Sequence, residues 1–346
     1  MNTSVDLSQK PPGAPAKGGG FLILGRDRTL VEMVVMVLVF LALWPVLGQH
    51  RVTDFMIFCI LVLSFDLLYG YMGRLSFGHV LYYGIGAYAC SAFIVYVTPN
   101  PLLGALVGVL TAIPVSMLIG LIVSRADGAP FALTNLAFNQ VGLFLAISGL
   151  QQWTLGDNGL PSTIMQPVGF LDFTQKPVNF WFAMFWLLVV FYLLKRLTRS
   201  PYGVLIRSIK EDESRVRFLG YNTFFYKWLT YVMACSLAAL PGVLHTLNYT
   251  FVAPQSVDPS GNVEVIFASL LGGAGNLYGA VVGGVIYRLI TNFLPIWVTD
   301  WEAFLGVVLL IMVFFFRMGV VGYVTAWWSG RRENAIRPQS RGGGAL

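Results

Sequence analysis

Six ionisable side chains lie within or beside long apolar stretches, where a charge needs a specific reason to be present. They are Asp66, Arg74, His79, His245, Glu264 and Arg288. Such a group costs about 2.5 kcal/mol or more at the centre of a bilayer, so it should face a protein interior or a cavity. Either these groups contact a solute or carry protons, or they fix irregular backbone by hydrogen bonding. The second interpretation is favoured, because residues near helix ends can reach the membrane surface.

Two glycine-interrupted apolar stretches accompany these groups, at 70–79 in the front half of the chain and at 271–279 in the rear half. Broken hydrophobic segments at matching positions of two halves indicate a translocation site. Alternatively, the glycines only permit close helix packing. On the first interpretation, the candidate pathway residues are Asp66, Gly73, Ser76, Gly78, His79, Glu264, Gly272, Gly273 and Gly275.

Residues that could perform catalysis or bind a metal do not form a recognisable group in the sequence. The three histidines, His50, His79 and His245, are widely separated, and the three cysteines lie singly in apolar runs. No G-x-x-x-x-G-K motif is present, so the chain lacks the phosphate-binding loop of an ATPase. The sequence therefore predicts no catalytic residue, no metal site and no cofactor in this chain.

Composition identifies the environment of these residues. Of 346 residues, 56% are hydrophobic and only 11% are charged, against about 25% charged residues in soluble domains. This balance excludes a soluble enzyme, a nucleic-acid-binding protein and a disordered chain. It favours an all-α, polytopic membrane protein. Since one span needs about 20 apolar residues, the chain has room for roughly eight to ten spans, with broken or re-entrant helices among them.

Windows without charge locate the spans, and turn signals divide the longest window at 98–101. The stretch 263–294 is predicted to be either a re-entrant pair of half-helices or two short spans. The predicted spans are 33–49, 55–72, two within 80–124, one within 128–150, 178–194, one within 223–253, the stretch 263–294 and 303–326.

The distribution of basic residues predicts the orientation. Most of the 22 Lys and Arg residues fall in the N-terminal tail, in 195–227 and in the C-terminal tail, and such segments stay in the cytoplasm. Residues 1–29 are predicted to be a disordered cytoplasmic tail, 30–326 a transmembrane permease domain and 327–346 a cytoplasmic tail. The polar loop 151–177 then lies outside the cytoplasm.

The segment 199–222 combines a helix-compatible stretch at 204–219 with charges of both signs, and Gly220 is a plausible residue to end that helix. A mixed-charge amphipathic helix between two spans suits docking to a cytoplasmic protein. The alternative, a helix lying on lipid headgroups, prefers a mainly basic face. The candidate docking residues are Arg207, Lys210, Glu211, Asp212, Glu213, Arg217 and Gly220.

Three motifs in order make the chain resemble the permeases of ABC importers for branched-chain amino acids, of the LivM-like type, over about residues 30–325. GYMGRLSFGHVLYYGIGAY (70–88) is similar to the family's signature at its broken helix. SPYGVLIRSIKEDESRVRFLGYNTFFYK (200–227) is similar to its coupling loop, and NVEVIFASLLGGAGNLYGAVVGG (262–284) to its glycine-rich stretch. In this resemblance Glu211 and Gly220 match the coupling loop, whereas Ser76, His79 and Glu264 match the two broken segments.

The resemblance implies a transmembrane subunit of a bacterial inner-membrane importer, with both termini in the cytoplasm. Its partners would be a homologous LivH-type permease subunit, two cytoplasmic ATPase subunits that carry ATP and Mg²⁺, a periplasmic substrate-binding protein and membrane lipid, but no nucleic acid. ATP-driven alternating access would move branched-chain or other small amino acids inward.

Other transport functions remain open at this point. The segment SRADGAPFALTNLAFNQ (124–140) departs from the family's usual leucine- and arginine-rich pattern, and an apolar path also suits urea, amides or small aromatic acids. A secondary transporter or channel for a small polar solute would need no docking segment. A sugar-type permease of the same superfamily is a further alternative, but the sequence of 200–227 argues against it.

Overall fold

The computed structural model describes residues 24–169, 171–297, 306–307 and 319–322 of the chain. Within these residues, eight helices are long and apolar enough to cross a membrane, and strands are nearly absent. The prediction of a polytopic all-α protein is therefore confirmed. The eight helices are Thr29–Leu47, Gln49–Tyr71, His79–Tyr96, Pro101–Val123, Ala129–Gly149, Lys176–Thr198, Thr223–Tyr249 and Leu277–Pro295.

The chain divides into two compact units, Met1–Ala42 and Leu43–Leu346. Helix α1 (Leu24–Leu47) lies mostly in the first unit, and the later described helices lie in the second. The predicted cytoplasmic tail at 327–346, most of the tail at 1–29 and most of the last predicted span, 303–326, lie outside the described residues.

The first broken stretch interrupts a long buried helix. Helix α2 (Gln49–Asp66) continues as a π-helical turn (Leu67–Tyr71), and the chain is then irregular until α3 (His79–Tyr96) begins. Helix α4 (Pro101–Val123) starts at the predicted turn, because the Asn100 side chain accepts hydrogen bonds from the first backbone N–H groups and Pro101 suits the first helical position.

The predicted polar loop 151–177 lies at the same end of the bundle as the segment that follows α10 (Thr223–Tyr249). A short strand in each segment makes this connection, β1 (Leu160–Pro161) pairing antiparallel with β2 (Phe251–Val252). The elements that lead into and through this loop are α5 (Ala129–Phe144), its π-helical continuation Leu145–Gly149 and α6 (Gln151–Thr154).

The segment after α7 (Lys176–Thr198) forms two helices, α8 (Pro201–Glu211) and α9 (Glu213–Phe218). The prediction of one helix over 204–219 is therefore wrong. Asp212 breaks it, because its backbone is extended and its carboxylate accepts a hydrogen bond from the Arg215 N–H, which begins α9.

The predicted terminator of this segment is confirmed. Gly220 has a φ of 88°, in the left-handed region that glycine adopts without strain. The Gly220 N–H donates to the Arg217 carbonyl and the Tyr221 N–H to the Val216 carbonyl, as in a Schellman motif that ends a helix.

The stretch 263–294 contains one short and one long helix, α11 (Ser260–Gly272) and α12 (Leu277–Trp297). At 1.5 Å per residue α12 is about 31 Å long, enough to cross a bilayer alone, whereas α11 reaches about 20 Å. The two helices pack so closely that a Cβ on Gly272 would overlap the Gly279 carbonyl. The structure thus combines a half-length helix with one spanning helix.

Helices α2, α3 and α10 form the centre of the second unit. Helix α10 packs against α2, α3 and α4, while α2 also packs against α7 and α12. Nearly every side chain of α2 is buried. Both sites described below are built on this central helix.

Candidate functional site

The two glycine-interrupted stretches meet in space at a buried carboxylate. Asp66, at the end of α2, is fully buried. Its Oδ1 accepts a hydrogen bond of 2.8 Å from the Gly275 N–H in the α11–α12 turn and a longer one of 3.4 Å from the Ser269 hydroxyl. Only glycine fits at position 70, where a Cβ would overlap both the Asp66 carboxylate and the Gly275 nitrogen.

Helix α8 also contacts the π-helical turn at which the first broken stretch begins. The Lys210 ammonium donates a hydrogen bond of 2.7 Å to the Gly70 carbonyl, which the π-helical turn leaves without a helical partner. The Arg207 guanidinium lies 4.7 Å from the centre of the Tyr71 ring in the same turn, a cation–π contact. Two of the predicted docking residues therefore contact the broken helix directly.

Charged side chains connect α9 with the irregular segment that contains Arg74 and with the α4–α5 loop. Glu213 is the central residue of this group. Its Oε1 accepts hydrogen bonds from Lys227 at 2.9 Å, Thr223 at 2.9 Å and Arg217 at 3.0 Å. Its Oε2 accepts one of 3.3 Å from Arg74, in the first break.

The same network extends to the α4–α5 loop. Arg74 and Lys227, whose side chains are 10% and 6% exposed, both pair with Asp127. Burial would raise the pKa of Glu213, but the hydrogen bonds from Lys227 and Thr223 and the Lys227 charge outweigh it and lower that pKa. The pKa of Asp127 is also lowered, since Arg74 and Lys227 outweigh the effect of its burial. We call these four residues, Arg74, Asp127, Glu213 and Lys227, the coupling network.

A cavity of about 450 Å³ adjoins the coupling network, and we call it the Arg74 cavity. The predicted pathway residue Gly73 lines it, together with Arg74, Phe77, Phe131 and Lys210. Gly73 has a φ of 77°, which favours glycine at this point of the irregular segment.

A second cavity, of about 550 Å³, lies around the opposite end of α2, and we call it the Arg288 cavity. Its charged and imidazole-bearing lining residues are Asp54 of α2, His245 of α10, Glu264 of α11 and Arg288 of α12. The Arg288 Nε lies 3.6 Å from the Asp54 carboxylate, and its guanidinium lies 4.2 Å from the centre of the Phe58 ring.

The remaining predicted pathway residues lie between or beside these cavities. Residues 72–75 and Phe77 border the Arg74 cavity and Val80 borders the Arg288 cavity, so Ser76, Gly78 and His79 belong to the segment that joins the two. His79 is fully buried, with its Nε2 2.9 Å from the Ser64 hydroxyl. Gly272 and Gly273 belong to the close α11–α12 turn.

The sequence interpretation missed several members of both sites. Asp54 lies just before the span predicted to begin at residue 55, so it is not among the predicted site residues, and the partnership of Asp127 and Lys227 with Glu213 has no local signal. Of the predicted docking residues, Glu211 is exposed at the end of α8, and Asp212 begins α9. Among the described residues, no group of His, Cys, Asp and Glu could hold a metal ion.

Sequence comparisons agree with the motifs. Residues 50–315 match a family described as branched-chain amino acid transport system / permease component. The chain is 26% identical to the high-affinity branched-chain amino acid transport system permease protein LivM of Escherichia coli K12, over 78% of this chain and 70% of the relative. It is 24% identical to BraD, the corresponding permease of Pseudomonas aeruginosa, over 77% of this chain and 91% of the relative.

The permease LivH of Escherichia coli K12 is also similar, at 25% identity over 66% of this chain and 79% of the relative. No solved structure matches the chain. The family match covers most of the chain, including both broken stretches and the α8–α9 segment, and it agrees with the multi-pass architecture. The chain therefore belongs to the family of branched-chain amino acid transport permeases, and it is a permease subunit of an ABC importer.

Proposed function

We propose that the chain pairs with a homologous LivH-type permease subunit and moves branched-chain or other small amino acids inward by ATP-driven alternating access. Two cytoplasmic ATPase subunits, which carry ATP and Mg²⁺, dock on α8 and α9, and a periplasmic binding protein delivers the solute to the opposite face. The protein lies in the inner membrane of a bacterium, and both of its termini are in the cytoplasm. The similarity to LivM and LivH, two permease proteins of a branched-chain amino acid transport system, supports this assignment.

One observation carries the proposal: two hydrogen bonds and the close packing of Gly70 against Asp66 connect α8 with both broken stretches. Lys210 bonds to the Gly70 carbonyl, and Asp66, one helical turn before Gly70, bonds to the Gly275 N–H. Since a Cβ at position 70 would already overlap its neighbours, a displacement of α8 cannot be absorbed at this junction. Movement imposed on α8 by ATP binding would therefore reposition both breaks.

The surface of α8 and α9 is suited to a protein partner. Phe218 is 91% exposed and Leu219 71% exposed, and Val204 and Tyr221 are exposed as well. Glu211 adds an exposed carboxylate at the α8–α9 junction. Large apolar side chains surrounded by charges are typical of protein interaction sites.

The alternatives predict different energetics. A secondary transporter or channel would use an ion gradient or none, so neither docking on α9 nor ATP would matter. An ABC permease for urea, an aromatic acid or a sugar would share the ATP dependence and differ only in the solute.

The test is uptake by the reconstituted importer, with both permease subunits, the ATPases and the binding protein in ATP-loaded proteoliposomes. We expect uptake to stop with a hydrolysis-deficient ATPase and to persist with a protonophore. The opposite pattern would support a secondary transporter. Lys210→Met keeps the aliphatic stem but removes the hydrogen bond to Gly70, so it should lower the solute moved per ATP hydrolysed. Lys176→Met, at the exposed start of α7 and away from α8 and α9, is the matched control.

A further inference from the structure

We infer that the Arg288 cavity binds a zwitterionic amino acid with an apolar side chain, its carboxylate on Arg288 and its ammonium group on Glu264. This inference rests on the proposed function, and it places a solute-binding site within this chain in addition to the one on the binding protein. The cavity, of about 550 Å³, falls in the range usual for small-molecule sites.

Arg288 is held in position and keeps its hydrogen-bonding capacity. The Phe58 ring supports the plane of the guanidinium from 4.2 Å. The contact of its Nε with Asp54, at 3.6 Å, is an ion pair but too long for a hydrogen bond. Within the described residues the Nε has no hydrogen-bond partner. A guanidinium fork oriented in this way matches a carboxylate, which it can bind through two parallel hydrogen bonds.

The charges around Arg288 complement an ammonium group. Among the lining residues of the cavity, Asp54 and Glu264 are the two carboxylates, and Arg288 is the one permanent cation. Once a solute carboxylate occupies Arg288, the acidic side chains leave an excess of negative charge. Glu264 makes no ion pair among the described residues, whereas Asp54 is paired with Arg288, so Glu264 is the better partner for the solute ammonium.

Apolar side chains complete the cavity. Ile57, Leu61 and Val80 line it beside Phe58, and they offer a surface for an aliphatic solute side chain. The buried His245 Nδ1 has no hydrogen-bond partner within the described residues, and His245 also borders the cavity. This nitrogen gives the bound solute one further polar contact.

The same geometry separates the amino acid from the alternative solutes. An aromatic or aliphatic acid without an amino group would use Arg288 and leave Glu264 without a partner. An amide or urea would bind the carboxylates and offer no carboxylate to the hydrogen-bond donors of Arg288, which would keep only its ion pair with Asp54. A zwitterion offers a partner of opposite charge to both Arg288 and Glu264, and a charge in a partly buried site is stabilised by such a partner.

The test measures the melting temperature of the purified complex of permease and ATPase subunits, without ATP and without the binding protein. The probes are L-leucine, L-leucinamide and 4-methylpentanoate, which share one side chain and differ in their charged groups. We expect only L-leucine to stabilise the complex at millimolar concentration. Glu264→Gln and Arg288→Lys should each raise the L-leucine concentration needed for the same stabilisation by about tenfold or more, as expected when one charge-assisted contact is lost or weakened.

The exposed Asp157→Asn, on the loop that precedes β1, is the control that removes a carboxylate outside the cavity, and it should leave the leucine effect unchanged. Gel filtration establishes that each variant assembles. Equal stabilisation by all three probes, no stabilisation by L-leucine, or undiminished stabilisation in both cavity variants would overturn the inference. Because the measurement needs no ATP hydrolysis, a failure of ATP-driven uptake would contradict the proposed function and leave this result separate.

Discussion

Replacing Asp66 by Ala removes the acceptor that joins the two broken stretches, and we expect it to abolish coupled transport. The carboxylate is fully buried and accepts hydrogen bonds from the Gly275 N–H at 2.8 Å and from the Ser269 hydroxyl at 3.4 Å. Without it, the Gly275 N–H loses its acceptor in the interior.

The geometry sets the size of this effect. A hydrogen bond to a charged group contributes about 1.5–3 kcal/mol, and each 1.4 kcal/mol corresponds to a factor of ten in an equilibrium. The population in which both breaks are joined should therefore fall by about 10- to 150-fold. The hydrogen bond from Ser269 is longer, so Ser269→Ala should change this population by less than about tenfold.

Asp66→Asn distinguishes hydrogen bonding from charge, because the amide keeps an acceptor oxygen for the Gly275 N–H. We expect it to retain most of the uptake that Asp66→Ala loses. Uptake and ATP hydrolysis are measured in the same proteoliposomes, and gel filtration reports assembly. This role of Asp66 is refuted if Asp66→Ala transports at the parental rate. It is equally refuted if Asp66→Asn assembles and hydrolyses ATP but transports nothing. That result would indicate that the Asp66 carboxylate contacts the solute or carries a proton.

Three further outcomes concern the coupling network and helix packing. Glu213→Gln removes the charge that pairs with Lys227 and should lower the melting temperature of the complex by the equivalent of about 1–3 kcal/mol; an unchanged melting temperature would contradict this. Because the Glu213 pKa lies below its usual 4.5, its stabilisation is present above pH 4.5 and lost as pH falls through the lowered pKa, and melting curves from pH 7 to 3 should show this loss in the parent and not in Glu213→Gln. Gly242→Ala would place a Cβ against the Tyr83 carbonyl and separate α3 from α10, so detergent-extracted protein should lose about 1–3 kcal/mol of stability. Gly306→Ala, whose Cβ would meet no atom of the described residues within 4 Å, is the control, and equal melting of the two variants would show that Gly242 is not needed for packing.

Features with local causes could be predicted from the sequence. Charge-free windows located the spans because a bilayer excludes charge, and the division at 98–101 follows from the cap that Asn100 provides. Glycine at 220 predicted the end of α9, since few other residues adopt a positive φ there. The broken stretch at 271–279 likewise follows from Gly273 and Gly275, which both have positive φ values.

Features that depend on distant partners could not be predicted. Asp54 and Arg288 are far apart in sequence and meet only because α2 packs against α12. Glu213 forms an ion pair with Arg74, which lies in an irregular segment whose path no local sequence pattern specifies. The break at Asp212 was missed for a different reason: the periodicity of 204–219 continues through it, and an aspartate within a helical pattern is equally compatible with an exposed helix position.

The two sites share one rigid element, and this arrangement explains how they could be coupled. Asp54 and Asp66 both belong to α2, about 18 Å apart along its axis, and each faces a different cavity or break. Energetic coupling between distant sites requires an element with two arrangements that both sites bias. Helix α2 is buried almost throughout and packs against α7, α10 and α12, so it should move as a unit. A shift of its last turn, imposed through Lys210, would displace Asp54 from Arg288 at the other end, and solute bound at Arg288 would oppose or favour the same shift.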